Sequence, residues 1–99
     1  MADASSAFVI RALAVTNSSW TPLTTPIACN TWSIMPDDDV LICTDEANPS
    51  GTEMTVKAGM QEAVQPPREG SGTRYAAGTT LAYLQGVNGS TIVRAQFSI

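Results

Sequence analysis

The stretch "IACNTWSIMPDDDVLICTDEA", residues 27–47, contains both cysteines, one of the two tryptophans and five of the nine acidic residues. Trp32 and Ile34 share a parity with Ala28 and Asn30, and Val40, Ile42 and Thr44 share another. Two runs of period 2 read as strands, not as a helix, and Pro36-Asp37 between them is a turn signal. A loop over residues 35–37 would make them a hairpin, with Ile34 opposite Asp38, Trp32 opposite Val40 and Cys29 opposite Cys43. The cysteines would then be cross-strand neighbours on the face away from Trp32, at a separation where a disulfide is possible but geometrically demanding. A cytosolic chain with only two cysteines is expected to keep them as buried thiols.

Period 2 continues outward in both directions. In "AFVIRALAV", residues 7–15, Val9, Arg11, Leu13 and Val15 alternate with Phe8, Ile10, Ala12 and Ala14, which suits a strand covered on both faces, although the alanines leave a short helix open. "TNSSWTPLTTP", residues 16–26, reads as an extended connector with Trp20 and Leu23 tucked under the core. Pro22 and Pro26 lack a backbone donor, so any strand between them lies at an edge or is irregular. "EANPSGTE" is a turn, and "EMTVKAG" is a half-buried strand with Met54, Val56 and Ala58 on its inner side. "MQEAVQ" is a weaker strand, and "PPREGSG", residues 66–72, is the mobile loop. "TTLAYLQ" and "STIVRAQF" flank Asn88-Gly89, the strongest short hairpin signal. A two-residue turn there sets Leu84 opposite Val93, Ala82 opposite Ala95 and Tyr83 beside Arg94.

Six to eight short strands at these spacings imply an all-β domain, a small antiparallel β-sandwich or jelly-roll-like barrel. Residues 1–6 read as a flexible arm and residues 7–99 as the single domain, large enough for one modest core. Hydrophobic residues make up 43% of the chain and charged residues 14%. That charge content is low for a surface that meets only water, so part of the surface is expected to meet a partner. The formal net charge of -4 argues against nucleic acid as a ligand. No apolar run is long enough for a membrane-spanning helix and the start lacks the basic residues of a secretory signal, so the chain is expected to stay in the cytosol until assembly. Asn17-Ser18-Ser19 and Asn88-Gly89-Ser90 match the glycosylation pattern but would not then meet the machinery.

Catalytic chemistry has little to stand on. The chain has no histidine, which removes Ser-His and Cys-His pairs and histidine metal sites. Neither cysteine sits in a CxxC pair, and no glycine-rich loop joins a strand to a helix. Asp37, Asp38 and Asp39, with Asp45 and Glu46, offer oxygen ligands for calcium. However, Asp45 lies about 20 Å of extended strand from Asp39, and a solvated turn is the expectation. A glycosidase pair meets the same obstacle. Trp20 and Trp32 could form a sugar platform, but a tryptophan in an alternating strand is expected in the core. Tyr75 and Tyr83 read equally as interface or ligand-contact residues. No cofactor and no enzymatic activity are expected.

A Pro- or Thr-flanked lead into "ACNTWSI", then "DVLICTDEA", a glycine-containing bend, a "V.AG" step, "RYAAGTTLAYLQ" and a terminal "GSTIVRAQF" together resemble the small β-sandwich virion proteins of tailed bacteriophages. The similarity runs from about Ala7 to Phe97. It implies a structural protein of the virion, assembled in the host cytoplasm: a head decoration or cement protein that stabilises the mature lattice, or alternatively a tail or baseplate component with host glycan binding. The implied partners are the major capsid protein and further copies of the chain, as a closed cyclic oligomer such as a trimer. The expected contact residues are Met1, Ala2 and Asp3 in the arm, Pro66, Pro67 and Arg68 in the loop, and Trp20 and Tyr75.

Overall fold

A computed structural model describes residues 8–44, 53–61 and 75–98, and in them the chain forms seven strands and no helix. In chain order they are β1 (Phe8–Val15), β2 (Thr21–Thr24), β3 (Thr31–Pro36), β4 (Val40–Cys43), β5 (Met54–Val56), β6 (Thr80–Gly86) and β7 (Thr91–Ser98). One sheet has the order β1-β7-β3 and the other β2-β6-β4-β5, and every neighbouring pair is antiparallel. Inward-facing residues of both sheets form one core, so the fold is the small β-sandwich that the alternating pattern implies.

The parities explain the core. Trp32, Ile34, Val93, Ala95 and Phe97 come from the three-stranded sheet, and Val40, Ile42, Val56, Ala82 and Leu84 from the other; all are buried. Leu81 and Ala82 are neighbours yet both buried, which strict alternation forbids. The ladder shows why: Leu23 pairs with Ala82 but Thr24 pairs with Thr80, so Leu81 is the extra residue of a bulge. Cys29 and Cys43 are buried and not joined in a disulfide.

Both expected hairpins are absent, and for the same reason. β3 pairs with β7, while β4 pairs with β5 and β6, so residues 37–39 carry the chain from one sheet to the other. Cys29 bridges Tyr75 and Cys43 pairs with Tyr83, so the cysteines are not cross-strand neighbours, and Cys29 belongs to the same core as Trp32. Asn88-Gly89 likewise joins strands in different sheets. Leu84 and Val93 therefore both enter the core from opposite sheets, and Arg94 lies beside Ala12 and Met35 instead of Tyr83. An apolar parity says which face a strand buries, not whether its chain neighbour sits beside it or across the core.

Three smaller readings also change. β1 is an edge strand whose residues Ile10, Ala12 and Ala14 are exposed, so it is not covered on both faces. The connector around Pro22 contains β2, which lies at an edge as a strand between the two prolines must and whose ladder to β6 is interrupted at Leu81, while Leu23 is buried as expected. β5 buries only Val56: Met54 is exposed and Ala58 lies in a turn. Met60 and Gln61 are not in a strand, and the rest of "MQEAVQ" lies outside the described residues, as does most of "EANPSGTE".

Candidate functional site

The acidic triplet sits where β3 crosses to β4, and its side chains diverge. Asp37 forms an ion pair with Arg94 of β7. Asp38 Oδ1 accepts the backbone N–H of Asp39 at 2.8 Å and the side-chain amide of Asn88 at 3.3 Å. Asp39 Oδ1 accepts the Ala58 N–H at 2.8 Å, and its Oδ2 lies 3.4 Å from Lys57 Nζ. Backbone bonds close the same end of the sandwich: Gly59 N–H to the Pro36 carbonyl at 2.8 Å and Val87 N–H to the Asp39 carbonyl at 3.2 Å. The Ala58 N–H, helped by the Lys57 ammonium, holds the Asp39 carboxyl below the usual carboxylate range. Three adjacent carboxylates thus reach three different elements and act as a clasp. Among the described residues no group of three or more His, Cys, Asp or Glu is placed to hold a metal ion. Asp45 and Glu46 lie outside those residues.

Of the expected contact residues, Trp20 and Tyr75 are the two that the structure describes. Met1, Ala2 and Asp3, and Pro66, Pro67 and Arg68, lie outside the described residues. Trp20 is half-buried just before β2, whereas Trp32 is 1% exposed, so the two do not share a platform. The Trp32 indole N–H has no acceptor among the described residues. Tyr75 is half-buried against the core and exchanges two backbone bonds with Cys29, at 2.9 and 3.0 Å. It lies beyond the Thr24–Thr80 end of the β2–β6 ladder, while Trp20 lies beyond the Thr21–Leu84 end. The structure therefore does not bring Trp20 and Tyr75 together. Nearby, the buried Thr25 hydroxyl donates to the Ile27 carbonyl at 2.5 Å, which fixes the turn that leads Cys29 into the core.

A surface that the sequence reading missed lies on the outer face of the three-stranded sheet. Register places Ile10, Gln96 and Ser33 in one row and Ala12, Arg94 and Met35 in the next. Ala14 and Ile92 follow. Ile10 is 53% exposed, and Met35 and Ile92 are 38% exposed. A shallow groove of about 140 Å³ runs between these rows, walled by Ile10, Met35, Arg94 and Gln61. Gln61 closes one side by donating from Nε2 to Ser33 Oγ at 2.8 Å. The sequence carried a signal for this face, since small and apolar residues alternate with core residues along β1. Assigning cover to both sides of that strand hid it.

No family model matches the chain, and no match to it was found among curated proteins or solved structures.

Proposed function

We propose that this chain is a non-enzymatic structural protein of a tailed-phage virion, a decoration or cement protein that binds the mature head lattice through the major capsid protein. One observation carries the reading. The charged side chains of the acidic triplet are consumed in bonds that hold the sandwich shut, whereas the outer face of the three-stranded sheet exposes Ile10, Met35 and Ile92 around the Arg94–Asp37 ion pair. Such a surface suits association better than reaction, since exposed apolar area gains free energy when a partner removes it from water. A protein that binds the assembled lattice better than the free subunits adds its binding free energy to the shell's resistance to opening.

The copy number in purified particles tests this reading, by quantitative mass spectrometry against the major capsid protein. The expected result is near one copy per capsid subunit. A few copies per particle would instead favour the tail or baseplate reading, and absence from the particle would overturn both. With Trp32 in the core, glycan binding in a tail protein would fall to Trp20 or Tyr75, and Trp20→Ala and Tyr75→Ala variants that both keep sugar binding would remove it.

A further inference from the structure

A sandwich of two open sheets has four edges, and in this molecule three of them are blunted. β2 has four residues, carries Pro22 and shifts register against β6 after Leu23. β5 has three residues. β3 ends in Pro36, whose carbonyl already accepts the Gly59 N–H, and the Gln61 side chain lies over Ser33. β1 is different: it has eight residues, no proline and no bulge. Long plain edges of this kind are templates for another strand, because their outward N–H and C=O groups have no neighbouring strand to bond.

The phase of the ladder identifies those groups. Asp37 N–H donates to the Ile92 carbonyl at 2.9 Å, directly continuing the β3–β7 register. Directly opposed bonded residues recur at every second position, so even-numbered residues of β7 are spent on β3 and odd-numbered ones on β1. In β1, Val9, Arg11, Leu13 and Val15 then bond β7. Phe8, Ile10, Ala12 and Ala14 turn both backbone groups outward. The Arg11 guanidinium agrees with this phase, since its Nη1 donates to the Ile10 carbonyl at 3.2 Å from the open side. No other bond to this edge occurs among the described residues.

We propose that the β1 edge pairs with β1 of a second copy, antiparallel and centred on Ala12, so that two three-stranded sheets fuse into one six-stranded sheet across a twofold axis. Same-face alignment allows only registers centred on a residue, and the residue chosen matters. Centring on Arg11 sets two guanidinium-bearing residues directly opposite at about 4.5 Å between Cα atoms, a like-charge pair in the closest class of contact. Centring on Ala12 sets Ile10 opposite Ala14 of the second copy, Val9 opposite Val15, and Arg11 opposite Leu13, where the arginine stem covers the leucine. The half-buried Val9 and Leu13 lose further surface to the partner, and the exposed rows of Ile10, Ala12 and Ala14 become continuous across the axis. A symmetric contact of this type needs no second patch, because the same strand serves both sides.

The inference rests on the edge and not on the virion reading, and the isolated chain tests it separately from any particle. Sedimentation equilibrium of the full-length protein at roughly 100 μM, where a micromolar contact is filled, is expected to give twice the chain mass. Ala12→Pro removes only an outward donor and leaves the β7 ladder intact, so it is expected to give a folded monomer. Ala12→Cys provides a second readout. Opposed bonded residues lie about 5.5 Å apart at Cα, within disulfide reach, so mild oxidation is expected to link the chains, while Ile10→Cys, which faces Ala14 of the second copy, is expected to stay unlinked. A monomeric or trimeric wild type, a dimeric Ala12→Pro protein, or an Ala12→Cys protein that does not cross-link would each overturn the proposal.

Discussion

The end of the sandwich that carries Asp37, Asp38 and Asp39 and the edge formed by β1 are opposites in how they use polar groups. At the clasped end, side chains and backbone from the β3–β4 crossing, the segment after β5 and the β6–β7 crossing are bonded to one another, and few groups remain for an outside partner. At the β1 edge, alternate backbone groups and an apolar row face outward, with Arg11 on the strand itself and Arg94 beside Ala12. Stability and association are therefore assigned to different places. Damage at the clasp should lower the melting temperature without changing self-association at temperatures where the protein stays folded. Changes on the outward positions of β1 should do the reverse.

The largest effect is expected at Gly86. A Cβ built there would lie 2.1 Å from the Gly89 carbonyl oxygen, a backbone atom that cannot swing away, and Gly86 also donates its N–H to the Thr16 carbonyl at 2.8 Å. Gly89 itself has a φ of 139°, which glycine tolerates and other residues rarely adopt. Gly86→Ala must therefore displace the crossing between the two sheets. Overpacking of this severity costs roughly 3 kcal/mol, a drop of about 12 °C or more in a domain this size. Thermal unfolding followed by circular dichroism measures it, and a drop below about 4 °C, the equivalent of less than 1 kcal/mol, would mean the crossing is soft and the clasp is not what closes this end.

Asp39→Asn is expected to have a smaller effect, and one that depends on pH. The asparagine can still accept the Ala58 N–H, but the charge that Lys57 faces is gone. Because the folded carboxyl has a depressed pKa, its ionised form binds fewer protons than the unfolded chain does near pH 4, and stability rises with pH through that window. The contribution is full above the unfolded value of about 3.9 and is lost as pH falls through the folded value. The difference in melting temperature between wild type and Asp39→Asn should therefore be largest at neutral pH and shrink towards pH 2. A difference that stays constant across that range would place the effect in packing instead of charge.

What was legible in the sequence, and what was not, follows the same division. Alternation announced strands, and it put Trp32 in the core with Ile34 on the same parity, because the face a strand buries is a local property. Pairing was not legible. Asn88-Gly89 has the composition of a tight hairpin, yet the same glycine also suits a crossing between sheets, and which occurs is decided by strands elsewhere in the chain, since β7 pairs with β1 and β3 while β6 pairs with β2 and β4. The partners of the acidic triplet were not legible for a related reason. Lys57, Ala58, Asn88 and Arg94 are 18 to 57 residues away in sequence, so nothing near the triplet shows that its charges are engaged. The outer face of the three-stranded sheet was hidden by reading β1 as an inner strand, since edge position is decided by which strands join later in the chain.

The smallest effect is expected at the one ion pair that touches both regions. Arg94 is on the outer face between Ala12 and Met35, and its guanidinium reaches back to Asp37 in the clasp, with both side chains about half exposed. An exposed pair gains little from Coulomb attraction in water and gives up side-chain freedom to hold one geometry, so Arg94→Met should change stability by less than about 1 kcal/mol. The methionine also retains an unbranched stem over the groove, which keeps the apolar contact that the arginine stem supplies. Urea unfolding of the two proteins at low and high salt separates the parts: added salt should erase whatever difference exists, because screening acts on the charge and not on the stem. A loss well above 1 kcal/mol that persists in high salt would mean that Arg94 anchors the clasp to the sheet by packing. The outer face would then be part of the closed end, and the separation between a region that stabilises and a region that associates would fail at this residue.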